Sequence, residues 1–232
     1  MKLLMAMAIF LLSLSFLGAE EKVGSIVLVG GGSIPPECIS WMKNKCQSDK
    51  IVVVTLYKER GQRWKDFFGE PIFFLPEELK IEDLNGVGGL VIDGGDQYEY
   101  IQRLNGKVVN EAHRRGICIL GTSAGSMVLP EHYFSAEEGS ISSEEAIAGQ
   151  HICLGRNFVS IPMLKNTFVE SHYTERNRQG RLKIFMEKSG AKIGLGIDEN
   201  TALCMYKNNR DVFGVGTVSI LTNDKVEVLC KK

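Results

Sequence analysis

Apolar runs at Ser25–Val29, Ile51–Leu56, Leu90–Ile92 and Ile117–Leu120 alternate with longer amphipathic or polar stretches. A strand that is apolar at successive positions has to bury both of its faces. The pattern therefore predicts a parallel sheet with helices on both sides. Pro35 to Lys45, Gln62 to Phe68 and Lys107 to Arg115 are the expected crossover helices. From Ile193 the texture changes to short alternating segments, Thr201–Lys207, Asp211–Val215, Ser219–Thr222 and Lys225–Leu229, separated by Asn208–Asn209 and Asn223–Asp224. These predict an antiparallel meander that closes the domain. The polar tract Ser135 to Glu145 is expected as a long surface loop.

The first residues read differently. Met1–Lys2, the apolar run Leu3 to Leu17, and Gly18–Ala19 before Glu20–Glu21–Lys22 form a cationic start, a hydrophobic region and a small-residue cleavage zone. The run is shorter than the roughly 20 apolar residues needed to span a bilayer. The expectation is a signal peptide over 1–19, export to the periplasm or the outside, no other membrane association, and one domain over 20–232. With 44% hydrophobic residues the chain can form a large core. Lys and Arg number 27 against 28 Asp and Glu, which leaves no broad basic field for nucleic acid.

Six cysteines in an exported chain invite a disulfide reading. Cys118 and Cys204 lie in apolar, strand-like segments where a free thiol packs as a small hydrophobe. Cys38 and Cys46, if both sit on the first helix, are about 12 Å apart along its axis and cannot bridge each other. Mostly free thiols are expected, with room for one or two bridges.

Open parallel sheets bind ligands beyond the carboxyl ends of their strands. Three glycine-rich turns occur there: Gly30–Gly31–Gly32–Ser33, Gly94–Gly95–Asp96–Gln97 and Gly121–Thr122–Ser123–Ala124–Gly125. The last follows a buried strand and has the G-x-S-x-G form of a nucleophile elbow, in which Ser123 is thrust out at a helix start. The backbone N–H of Ala124 could then face an oxyanion. The alternative is that Ser123 only caps the helix that follows.

A serine nucleophile needs a base, and the chain has four histidines. His113 lies on a charged helix face, His132 reads as a loop residue, and His151 is ambiguous. His172 closes the apolar stretch Thr167–Phe168–Val169, at a strand end like the elbow, and is the preferred base. The orienting acid is sought in Asp198–Glu199, whose side chains point to opposite faces, so at most one meets the histidine. Arg176, Arg178 and Arg181 follow the histidine and suit a carboxylate-bearing substrate, although alone such a run reads as a solvated helix face. Gly30–Ser33 lacks the third glycine of the dinucleotide fingerprint and the P-loop pattern, and reads as a strand–helix turn. No metal-ligand spacing is present and no cofactor is expected.

Taken in order, Val27–Gly32, Gly94–Gln97, Gly121–Gly125, His172–Leu182 and Gly196–Ala202 resemble the cyanophycinases of the S51 serine peptidase family. The resemblance implies a three-layer, flavodoxin-like fold similar to that of class I glutamine amidotransferases, with a C-terminal antiparallel extension. It implies Ser123 as nucleophile, His172 as base and Glu199 as third member, with Gly95 and Ala124 as oxyanion donors. Gln97, Glu170, Arg176, Arg178 and Arg181 would line the substrate pocket. Cyanophycinases cleave a polymer with an aspartate backbone and β-linked arginine, so an aspartate-containing peptide or polymer is the expected substrate; a homodimer is compatible with the fold. Glu170–Ser171 stand where cyanophycinases commonly show Asp-Gln, which leaves α-aspartyl dipeptides as an alternative substrate. A non-catalytic domain that binds anionic ligands is a second alternative, and a phosphate-binding flavodoxin-like module ranks last.

Overall fold

The computed structural model describes residues 24–223 and 225–231, so the expected signal peptide lies outside the described residues. The chain runs through β1 (Ile26–Val29), α1 (Pro36–Lys43), β2 (Ile51–Val54), α2 (Gln62–Phe68), β3 (Ile72–Phe74), β4 (Gly89–Ile92), α3 (Gln97–Arg103), α4 (Gly106–Arg114) and β5 (Cys118–Thr122). It continues with α5 (Ala124–Met127), β6 (His132–Phe134), α6 (Ser143–Ile147), β7 (Leu154–Arg156), β8 (Thr167–Ser171) and α7 (Gln179–Ser189). Five strands follow: β9 (Ile193–Ile197), β10 (Thr201–Tyr206), β11 (Asn209–Gly214), β12 (Thr217–Leu221) and β13 (Val226–Cys230).

The first sheet has the order β11-β10-β1-β5-β4-β2-β3. Its five strands from the first half of the chain are parallel, and β10 and β11 add antiparallel at the β1 edge. Burial follows the strand period. Ile26, Leu28, Val52, Val54, Leu90, Ile92 and Ile119 face one core with α3 to α5, while Val27, Val29, Val53, Val91 and Leu120 face another under α1 and α2. Both faces are covered, so the strands read as continuous apolar runs.

A second sheet, β13-β12-β9-β8-β6-β7, departs from the expected meander. The C-terminal strands do not stay together: β10 and β11 join the first sheet, whereas β12 pairs with β9 and β13 with β12 in the second. The hairpins are local and legible, but the choice of sheet depends on which core their apolar faces complete. Leu203 and Met205 of β10 and Val218 and Ile220 of β12 converge on the same core, between the sheets. Phe134 and Phe168 on the outer face of the second sheet pack against Leu182 and Phe185 of α7. His132, read as a loop residue, is buried within β6, and helix α6 begins inside the tract read as a surface loop.

Candidate active site

Strand β5 ends at Thr122 and Ser123 adopts φ 51° and ψ −118°, a conformation disfavoured for a side chain with Cβ. The two flanking glycines explain how it is tolerated. A Cβ at Gly121 would lie 2.5 Å from the Gly125 carbonyl oxygen, and one at Gly125 would lie 2.1 Å from the Ile92 oxygen. Backbone packs against backbone on both sides of the serine, so only glycine fits. Ser126, overlooked in the sequence, stitches this turn to β1: its hydroxyl accepts from Val29 N–H at 3.0 Å and lies 2.7 Å from the Gly121 oxygen. It is fully buried.

Ser123 makes no side-chain cap to α5. Its Oγ lies 2.8 Å from His172 Nε2, and His172 Nδ1 lies 2.5 Å from Glu199 Oε1. A carboxylate can only accept, so Nδ1 carries the proton and Nε2 is left to accept from the serine hydroxyl. Burial pushes the His172 pKa below the ordinary histidine value, an effect opposed by Glu199 and reinforced by Arg176 and Arg178. The imidazole is therefore neutral near pH 7. This chain of hydrogen bonds can transfer the serine proton and stabilise the resulting imidazolium.

The neighbouring acids differ in their partners. Asp198 is buried and accepts from Thr174 Oγ1 and Thr217 Oγ1, each at 2.8 Å, and from the N–H groups of Thr174 and Thr217. It ties the β8 and β12 ends together, while Glu199 faces the histidine.

The Gly30–Gly32 turn supports the imidazole from beneath. Gly31 has φ +106°, and a Cβ there would lie 2.2 Å from His172 Cε1. His172 N–H donates to the Gly30 oxygen at 2.7 Å and Asn200 N–H to the Gly31 oxygen at 2.9 Å. Asn200 Oδ1 in turn accepts from Ser33 N–H at 2.7 Å. The turn is thus a cradle for the histidine, and its glycines were the signal for that close approach.

Gly95, Gln97, Ser123, Ala124, His172, Arg176 and Arg178 line one cleft of ≈ 130 Å³, together with Ala136, Gly139 and Ser140 of the expected surface loop. Gln97 Nε2 donates to the Phe134 oxygen at 2.8 Å, which leaves its amide oxygen available. The profile of Peptidase family S51 matches residues 73–212, a stretch that holds the serine, the histidine, the acid and the cleft. The chain belongs to peptidase family S51.

This S51 chain is 28% identical over 138 residues to a cyanophycinase of Geminocystis herdmanii, covering 57% of the chain and 48% of that relative. A cyanophycinase of Trichormus variabilis is 26% identical over 144 residues, covering 60% and 46%. The chain therefore spans about half the length of these curated relatives. A solved peptidase from an acI-B1 actinobacterium superposes with a TM-score of 0.67 at 20% identity, covering 91% of this chain and 96% of that one. That likeness extends to the fold.

Two residues expected in the pocket are elsewhere. Glu170 and Arg181 are fully buried and do not line the cleft. Arg181 holds Glu170 with Nε and Nη2, each at 2.7 Å, and stacks against Phe134 and Phe185. Arg178 adds a contact to Glu170 at 3.1 Å, one to the Ser171 oxygen at 2.9 Å and one to Ser140 at 3.4 Å. A buried carboxylate needs compensating charge, and this requirement draws both arginines inward; burial also pushes the Arg178 pKa down to about 10. Arg176 alone of the three is exposed at the cleft, and its guanidinium has no ion-pair partner among the described residues.

Proposed function

We propose that this protein is an exported serine peptidase that hydrolyses aspartyl peptides, with β-Asp-Arg linkages of a cyanophycin-like polymer as the preferred substrate. Ser123 attacks the amide carbonyl as His172 takes its proton, and the histidine then protonates the leaving amine. Water hydrolyses the acyl-enzyme by the same route in reverse. Glu199 holds the imidazole in the required tautomer, and the N–H groups of Gly95 and Ala124 receive the developing oxyanion. Arg176 anchors a substrate carboxylate, with Arg178 and Gln97 shaping the floor of the pocket.

The observation that carries this reading is the 2.8 Å approach of Ser123 Oγ to His172 Nε2 in a cleft that also presents Arg176. The cyanophycinase relatives support the choice of substrate, and the leader-like sequence of residues 1–19 supports export. Incubating the wild type and a Ser123→Ala variant with β-Asp-Arg polymer tests the proposal. Dipeptide release by the wild type alone is expected; equal release by both sinks it, and turnover of α-Asp-X dipeptides in place of the polymer corrects the substrate.

A further inference from the structure

We infer that Cys38 with Cys204, and Cys46 with Cys118, are two disulfide sites that staple helix α1 to the strands on either side of β1. Four of the six cysteines fall into these two pairs, and all six are unbonded thiols in the structure. Cys38 lies in the first turn of α1, and Cys46 follows its end by three residues. Strands β10 and β5 flank β1 in the first sheet, and they carry Cys204 and Cys118. Cys204 is paired in register with Val27, so its side chain shares the α1 face of the sheet. Cys118 is paired with Gly89, and the Cys46 sulfur lies 3.5 Å from where a Gly89 Cβ would be. Cys38, Cys118 and Cys204 belong to one buried cluster against which Cys46 packs. Helix α1 packs on β10, which sets Cys38 beside Cys204, and Cys46 and Cys118 are likewise neighbours. The two cysteines of each pair are therefore brought into one packed cluster.

The two staples would hold the frame of the active site. Strand β5 leads from Cys118 to Ser123, β10 follows Glu199, and the turn between β1 and α1 cradles His172. The oxidant is a small or protein disulfide of the kind found in an oxidising compartment. One cysteine thiolate attacks a sulfur of that disulfide and releases the first oxidant thiol, leaving a mixed disulfide. The second cysteine thiolate attacks the protein sulfur of the mixed disulfide and releases the second oxidant thiol. Each pair thus passes two electrons and two protons to the oxidant. Cys46 is only partly buried whereas Cys118 is buried, so Cys46 is the thiol of its pair that an oxidant reaches first.

The test is a disulfide map of the full chain, refolded from the reduced state with oxidised and reduced glutathione, alkylated with iodoacetamide and digested without reductant. Cross-linked peptides joining Cys38 to Cys204 and Cys46 to Cys118 are expected, with Cys153 and Cys230 alkylated. In a Cys204→Ala variant, Cys38 is expected to become alkylated while the Cys46–Cys118 link persists. Alkylation of all six cysteines after oxidative refolding, or links joining other pairs, overturns the inference. The map is read by mass spectrometry alone, so it stands or falls independently of the serine chemistry.

Discussion

Replacing Gly31 with alanine probes the histidine cradle without substituting any reacting group. The new Cβ would lie 2.2 Å from Cε1 and 2.5 Å from Nε2 of His172. Carbon atoms rest at about 3.5–4.0 Å, so the ring has to retreat by about 1 Å or more. A shift of that size breaks the 2.8 Å contact between Nε2 and Ser123 Oγ. Misplacement by about 1 Å costs on the order of 100-fold in rate, which is about 2.7 kcal/mol of transition-state stabilisation. The φ of +106° at Gly31 adds backbone strain of about 1–3 kcal/mol for an L-residue. For a chain of this size that strain lowers Tm by roughly 2–12 °C. The assay is the rate of fluorophosphonate labelling of Ser123, measured beside a thermal melt. A folded Gly31→Ala protein labelled at the wild-type rate would refute the reasoning.

The other expectations concern groups that touch Ser123 less directly. Glu199→Gln is expected to slow labelling at least about 100-fold with little change in Tm, while Asp198→Asn should chiefly destabilise, by about 1–3 kcal/mol, because it disturbs four half-buried hydrogen bonds; denaturant melts and labelling rates separate the two. His172 must be neutral to act as base and its pKa lies below the ordinary value, so activity should fall only as pH drops through a point below about 6.5, and removal of the Glu199 carboxylate should move that acid limb to lower pH. Arg181→Ala leaves the buried Glu170 short of its main partner and should cost about 3–5 kcal/mol. Arg176→Ala should leave the melt unchanged and raise KM for acidic substrates.

The parts of the site built from local backbone were legible in the residues. Gly121 and Gly125 announced a turn in which a Cβ meets backbone, and the apolar strand before them told which way the serine would point. His172 could be chosen because it closes a strand, whereas His132 was misplaced: the tract Pro130 to Phe134 looked like a loop, yet Phe134 completes the core beneath α7. The arginines show what sequence alone conceals. Arg178 and Arg181 are three apart and share a helix face, but that this face turns inward depends on Glu170, a partner brought by β8. Likewise the division of the last four strands between two sheets depends on the shared core of Leu203, Met205, Val218 and Ile220, which no local pattern encodes.

The central claim is that Ser123 is a nucleophile activated by His172, and covalent labelling addresses it most directly. Intact-mass and peptide analysis after exposure to a fluorophosphonate is expected to show one adduct, on Ser123, absent from Ser123→Ala and strongly slowed in His172→Ala. A folded wild-type protein that stays unlabelled, or that carries the adduct on another residue or reacts equally fast without His172, would contradict it.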